Sequence, residues 1–308
     1  MKKIAALFLL IIAAASFSLN AQKVIPLWDG NMPNSRGIKV NDSIVNERIV
    51  QVGAPAIQVY EPSKAERTGT AVLIIPGGGY VKLAYEISGI ALAKWYNTIG
   101  VTAFVLFHRF PGSPDVIESW KAPLQDGQRA IRYIRAHAEE YGIDPEKVGA
   151  MGCSAGSHLA ASLCAVREDW SQVGDSLDTF SPRPSFAVLV SPVISMDDAL
   201  VHKGSRENLL GSRVNDSGLR DLFSLEKQVG PDTPPAIIFH ASDDKAVSPL
   251  NSIAYYTALY NAGVRKSSLH IFPNGGHAIS LRAQPGSTVM WPELTEKWLV
   301  ETGMLSPL

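Results

Sequence analysis

The sequence predicts an α/β fold: a mostly parallel sheet with helices on both faces and an antiparallel hairpin near the N-terminus. Three observations lead there. Short apolar runs alternate with helix-length segments from Thr70 onward, the pattern of strand–helix–strand units. Val101–Phe107 is uncharged and almost wholly apolar, as in a strand covered on both faces. Gly152-Cys153-Ser154-Ala155-Gly156 stands between an apolar run and a small-residue segment, the setting of a sharp strand-to-helix reversal.

The elements follow in order. Val24–Asn46 is polar and rich in Gly, Asn and Pro, and reads as an arm lying on the domain. Arg48–Val52 and Ile57–Tyr60, separated by Gly53-Ala54-Pro55, read as the two strands of the hairpin. Thr70–Ile75 is a strand, Gly77-Gly78-Gly79 a loop, Ile87–Ile99 a helix and Val101–Phe107 a strand. Leu124–Tyr141 is a long helix whose Gly127, Ile131, Ile134, Ala138 and Tyr141 form one inward stripe. Arg129, Arg132 and Arg135 fall off that stripe and are expected in solvent. Beyond the serine turn, Phe186–Val190, Ala236–His240 and Leu269–Phe272 are strands, and Pro249–Ala262 and Val289–Glu301 are helices. Arg167–Pro184 is a polar loop, and Met196–Phe223 is an insertion with weak helical signals.

Of the 308 residues 46% are hydrophobic, and the formal net charge is −1. That composition suits one large domain and gives no reason to expect a nucleic-acid or anionic-membrane partner. Residues 1–21 read as a secretory leader: Lys2 and Lys3, the apolar run Ile4–Ala15, then Leu19-Asn20-Ala21 before a cut at Gln22. The apolar run is 12 residues long, short of the roughly 20 that span a bilayer. The expected product is one domain, 22–308, exported to the periplasm or beyond and free of the membrane. Cys153 and Cys164 are the two cysteines. Along a helix they lie roughly 15 Å apart, too far for a disulfide, so both are expected free, with Cys153 as small buried filler.

Ser154 is the candidate nucleophile. At such a reversal strand and helix nearly touch, so the positions two before and two after the serine must be tiny, as Gly152 and Gly156 are. The Ala155 N–H, at the start of the new helix, would face a developing oxyanion. A serine hydroxyl needs a base, and a carboxylate that fixes the base's tautomer. In folds of this kind the chain order is serine, acid, histidine. His277 follows the last strand after two glycines and is the candidate base. Of the other histidines, His158 is expected to pack under the turn and His240 to be structural. Asp243 and Asp244 follow the strand Ala236–His240, and either can orient His277. Asp244 stands before x-x-Val, the register of the acid loop in this kind of fold, and is preferred; Asp243 reads as a turn or cap residue. Gly78 and Gly79, bare of side chains, would supply further oxyanion amides. Tyr80, Trp170, His202 and Arg206 are candidate substrate contacts, the last three from loops expected to wall the pocket. No metal cluster or cofactor motif stands out.

These residues together resemble the α/β-hydrolase superfamily, and within it the exported bacterial esterases of the acetylxylan-esterase and feruloyl-esterase-like group. The likeness includes Ile25-Pro26-Leu27-Trp28, Val59-Tyr60-Glu61-Pro62, Pro76-Gly77-Gly78-Gly79-Tyr80 and Pro123-Leu124-Gln125-Asp126. It continues through the Ser154 turn, Gly204-Ser205-Arg206-Glu207-Asn208-Leu209-Leu210-Gly211 and Pro273-Asn274-Gly275-Gly276-His277. Pro76 stands where many related esterases carry the histidine of His-Gly-Gly-Gly, and Cys153 where a bulkier residue is common. The resemblance implies a serine esterase that removes acyl groups, foremost acetyl, from xylan or its oligosaccharides without a cofactor. A general short-chain or feruloyl carboxylesterase is the alternative, and an inactive carbohydrate-binding module the remote one. Glycoside hydrolysis usually needs two carboxyl groups flanking the sugar bond, and no such pair is identifiable in the sequence.

Overall fold

A computed structural model describes residues 22–277, 279–281 and 286–306. The leader read at 1–21 lies outside them. Ten strands and eight α-helices are described. They are β1 (Val24–Pro26), β2 (Ser43–Val45), β3 (Arg48–Gln51), β4 (Ala56–Tyr60), β5 (Ala71–Ile75), α1 (Ala91–Thr98), β6 (Thr102–Phe107), α2 (Lys121–Ala136) and α3 (Ala138–Tyr141). Then come β7 (Val148–Cys153), α4 (Ala155–Ala165), β8 (Ala187–Val190), α5 (Lys203–Leu210), α6 (Ser217–Leu222), β9 (Ala236–Ala241), α7 (Leu250–Asn261), β10 (Ser268–Phe272) and α8 (Trp291–Glu301). Among the described residues no helix is long and apolar enough to cross a membrane.

Eight strands form one sheet in the order β1-β4-β6-β5-β7-β8-β9-β10. β1, β4 and β6 pair antiparallel, and every pairing from β6 through β5 to β10 is parallel. Alternate residues of β5 serve opposite faces, as the strand period requires. Ala71, Leu73 and Ile75 join a core with α2, α4 and α7; Val72 and Ile74 join one with α1 and α8. The parallel strands therefore end together at one edge, where loops collect their side chains.

Two expectations need correction. The antiparallel hairpin is β2–β3, with Ser43, Ile44 and Val45 opposite Gln51, Ile49 and Arg48. β3 does not pair with β4; β4 lies between β1 and β6 in the main sheet. Asn46 and Glu47, both at positive φ, make the tight turn, so Gly53-Ala54-Pro55 is a crossover between sheets. The second correction concerns the arginines of α2. Arg129, Arg132 and Arg135 are buried, because the polar segment 167–185 folds over them. Arg129 is paired with Asp175, and Arg132 holds Asp169 through two nitrogens at 2.8 and 2.6 Å. Arg135 donates to the carbonyls of Pro145 and Ser181. Charge at a regular helical spacing usually marks a wet face; here carboxylates and carbonyls arrive from a distant segment to match it. The long helix also breaks at His137, which stacks on Tyr133 with ring centroids 3.9 Å apart.

Candidate active site

Ser154 sits between β7 and α4 with φ 56° and ψ −121°, a strained backbone for a residue with a Cβ. The surrounding packing enforces it. A Cβ on Gly152 would lie 2.2 Å from the Gly156 carbonyl oxygen, and one on Gly156 would lie 2.1 Å from that of Ile75. Both positions exclude any side chain, so the reversal can be this tight. Ser154 N–H is held by the Val190 carbonyl at 2.9 Å.

His277, Asp244 and Ser154 meet although 123 residues separate the serine from the histidine. His277 Nδ1 is 2.7 Å from Asp244 Oδ2, and Nε2 is 2.8 Å from Ser154 Oγ. A carboxylate can only accept, so the neutral ring carries its proton on Nδ1 and presents a bare Nε2 to the serine hydroxyl. The Asp244 side chain is fully buried, while that of His277 is 31% exposed. Burial alone would disfavour charge on Asp244. Hydrogen bonds from His240, His277 and the Val247 amide outweigh it and hold the carboxyl well below the usual carboxylate range. Asp243 takes a different part: its Oδ1 accepts the Gly276 N–H at 2.7 Å, pinning the loop that carries His277.

The glycine loop after β5 runs beside the serine. Its carbonyls are engaged: Gly77 O by Ala84 N–H, Gly78 O by Val81 N–H and Gly79 O by the Asn208 side-chain amide at 2.7 Å. Among the described residues the N–H groups of Gly78 and Gly79 have no acceptor. The N–H of Ala155, first residue of α4, has no partner inside its own helix. A Cβ on Gly78, whose φ is 148°, would overlap the Lys82 carbonyl at 1.9 Å.

A cavity of about 500 Å³ opens here. Gly78, Gly79, Ser154 and His277 line it, with the apolar Ile87, Leu92 and Ile279 and, from the α5 segment, His202, Gly204 and Asn208. Of the four side chains expected to touch substrate, only His202 lines it. Tyr80 points into the core, its hydroxyl 2.7 Å from His158 Nδ1. Arg206 is buried against the Met196 carbonyl at 3.0 Å and Asp198. Trp170 lies by α2, where the Gln125 amide holds its carbonyl at 2.9 Å. The segment 167–184 therefore contributes no wall, and the insertion 196–223 does. Cys153 is half-buried on the cavity wall and not buried filler. Desolvation pushes its thiol up to about 12, so it holds no thiolate at neutral pH.

Two roles are not readable in the sequence: Asn208 as the anchor of the Gly79 carbonyl and His240, expected to be structural, as a partner of Asp244. Asn208 is four residues from Gly204, one helical step on the same face. His240 is fully buried at the end of β9, and its Nε2 lies 3.1 Å from Asp244 Oδ2 and 3.0 Å from the Val247 carbonyl. A histidine closing an apolar strand must find buried partners, and four residues further on stood a carboxylate.

Comparison with known proteins bears on this geometry. The family model described as BD-FAE matches residues 57–259, about two thirds of the chain. The chain belongs to the BD-FAE family. Its architecture is that of an α/β-hydrolase. An acetylxylan esterase of Xylanibacter ruminicola is 37% identical over 68% of this BD-FAE member and 41% of its own length. An endo-1,4-β-xylanase B of Butyrivibrio fibrisolvens is 36% identical over 68% of this chain and 32% of its own. The chain thus spans less than half the length of these two relatives. Among solved structures, the acetyl ester-xyloside bifunctional hydrolase of Caldicellulosiruptor lactoaceticus superposes with a TM-score of 0.78 at 32% identity, covering 92% of this chain and 98% of that one.

Proposed function

We propose that this protein is a serine carboxylic ester hydrolase that removes acyl groups, foremost acetyl, from sugars of xylan-type polysaccharides. The reading rests on one observation above all: the unbroken hydrogen-bonded line Asp244–His277–Ser154 opening into a cavity. Ser154 Oγ attacks the ester carbonyl carbon while His277 Nε2 takes the hydroxyl proton. The oxyanion receives the N–H groups of Gly78, Gly79 and Ala155. As the carbon–oxygen bond to the alcohol breaks, His277 returns the proton to that oxygen. Water then attacks the acyl-serine, again through His277, and releases the acid and free Ser154. Asp244 keeps His277 in the required tautomer throughout.

The polysaccharide assignment is carried by the likeness to an acetylxylan esterase and an acetyl ester-xyloside hydrolase. The xylanase name belongs to a relative of which the chain spans about a third. A second reading, a carboxylesterase for longer or feruloyl acyl groups, is favoured by the apolar wall of Ile87, Leu92 and Ile279. Export through a leader at 1–21 and a single domain over 22–308 belong to the same proposal.

Ser154→Ala tests the core of it. With acetylated xylo-oligosaccharide and 4-nitrophenyl acetate, kcat should fall by about 10³-fold or more, with the fold intact by circular dichroism. Equal rates for the variant and the parent would end the mechanism.

A further inference from the structure

We infer that His202 is a specificity residue for the alcohol half of the ester: its Nε2–H donates to a hydroxyl or ring oxygen of a sugar leaving group. This rests on the esterase reading above. His202 caps the N-terminus of α5, where its Nδ1 accepts the Ser205 N–H at 3.2 Å and lies 2.8 Å from Ser205 Oγ. A nitrogen that accepts a backbone N–H cannot carry a proton of its own. The neutral ring must therefore hold its proton on Nε2. Among the described residues that Nε2 has no acceptor, and the ring lines the same cavity as Ser154 and His277.

The direction of the ester follows from the proton transfer. The leaving oxygen must come within hydrogen-bond reach of His277 Nε2 to be protonated. The alcohol therefore lies on the His277 side, and His202 lines the same cavity as His277. Burial, then His277, lower the His202 pKa against a smaller opposing pull from Asp244, so the ring offers a neutral donor at neutral pH. The neighbouring polar side chain, Asn208, already gives its amide to the Gly79 carbonyl. Gly204, between them, takes up no space. His202 is thus a donor of the α5 wall whose Nε2 has no acceptor among the described residues, whereas Asn208 is anchored to the glycine loop. An alcohol bearing oxygens one or two atoms from the ester, as a pyranose does, supplies an acceptor there; a plain alkyl or aryl alcohol does not.

His202→Asn tests this, because asparagine preserves an N-cap acceptor for Ser205 N–H while withdrawing the Nε2 donor. Three acetates are compared: an acetylated xyloside, cyclohexyl acetate with a similar ring and no hydroxyls, and 4-nitrophenyl acetate. The parent should prefer the xyloside over cyclohexyl acetate by roughly three- to tenfold in kcat/KM, the scale of one neutral hydrogen bond. His202→Asn should lose that preference through a raised KM for the xyloside, with a smaller change in 4-nitrophenyl acetate turnover. Parity of the two ring acetates in the parent would overturn the inference without any variant. So would an equal loss on all three substrates, or no loss on the xyloside. A parent that releases acetate from none of them overturns the esterase reading itself.

Discussion

Asp244 and the three arginines of α2 are both buried charge, and the protein completes them differently. Asp244 Oδ1 accepts the N–H groups of Ala246 and Val247 at 2.8 and 3.0 Å; Oδ2 accepts from His277 and His240. One of those partners, His277, is partly exposed and turns its other nitrogen toward a cavity. Arg132 has no such outlet. Its guanidinium is closed off by Asp169, Ser171 and the Phe180 carbonyl. The difference teaches how to tell reactive from structural charge: in the first, the hydrogen-bond chain stops one group short of closure, at a surface a ligand can reach.

Arg132→Ala should break the comparison most visibly on the stability side. It removes the charge partner of Asp169, a partly buried carboxylate, together with the donor to the Phe180 carbonyl, and should cost about 3–5 kcal/mol in urea unfolding. kcat per folded molecule should be unchanged; a loss of turnover at full stability would dissolve the distinction. His158 gives the next effect. It is buried between the Tyr80 hydroxyl and the Phe223 carbonyl, and burial lowers its pKa from 6.5 to about 4 against the carbonyl's opposing pull. Between pH 6.5 and 4 the unfolded chain binds a proton there and the folded one does not. Stability is therefore whole above pH 6.5 and falls toward pH 4, by about 3 kcal/mol from this group. Melting curves of the parent and His158→Asn across that window should diverge by this amount. The smallest effect sharpens the comparison at its reactive end. His240→Leu removes one donor from Asp244 and should lower kcat about tenfold, near 1.4 kcal/mol of barrier, with KM held. His240→Gln, whose amide can replace Nε2–H, should restore most of it. Equal behaviour of the two variants would make His240 a space-filler.

What was legible in the sequence had a steric or topological reason. Gly152 and Gly156 are demanded by a clash that no side chain escapes, so the reversal at Ser154 could be read letter by letter. His277 and Asp244 follow the last two strands, and a parallel sheet brings such loops to one edge whatever their sequence distance. The rest depended on partners far along the chain. Nothing near Arg129 or Arg132 foretells Asp175 or Asp169. Tyr80 follows three glycines and looked like part of a binding loop, yet its positive φ turns the ring inward onto His158. Arg206 and Trp170 were assigned by loop position alone, and local pairing took their polar groups elsewhere.

The amide bridge from Asn208 to Gly79 links two tasks that engineers would prefer to keep apart. The helix whose other end carries His202 also steadies the peptide beside the proposed anion cradle. On the proposed reading, libraries that vary 202–211 to retune sugar choice should therefore disturb turnover too, unless position 208 is spared; swaps confined to Ile87 and Leu92 escape that coupling.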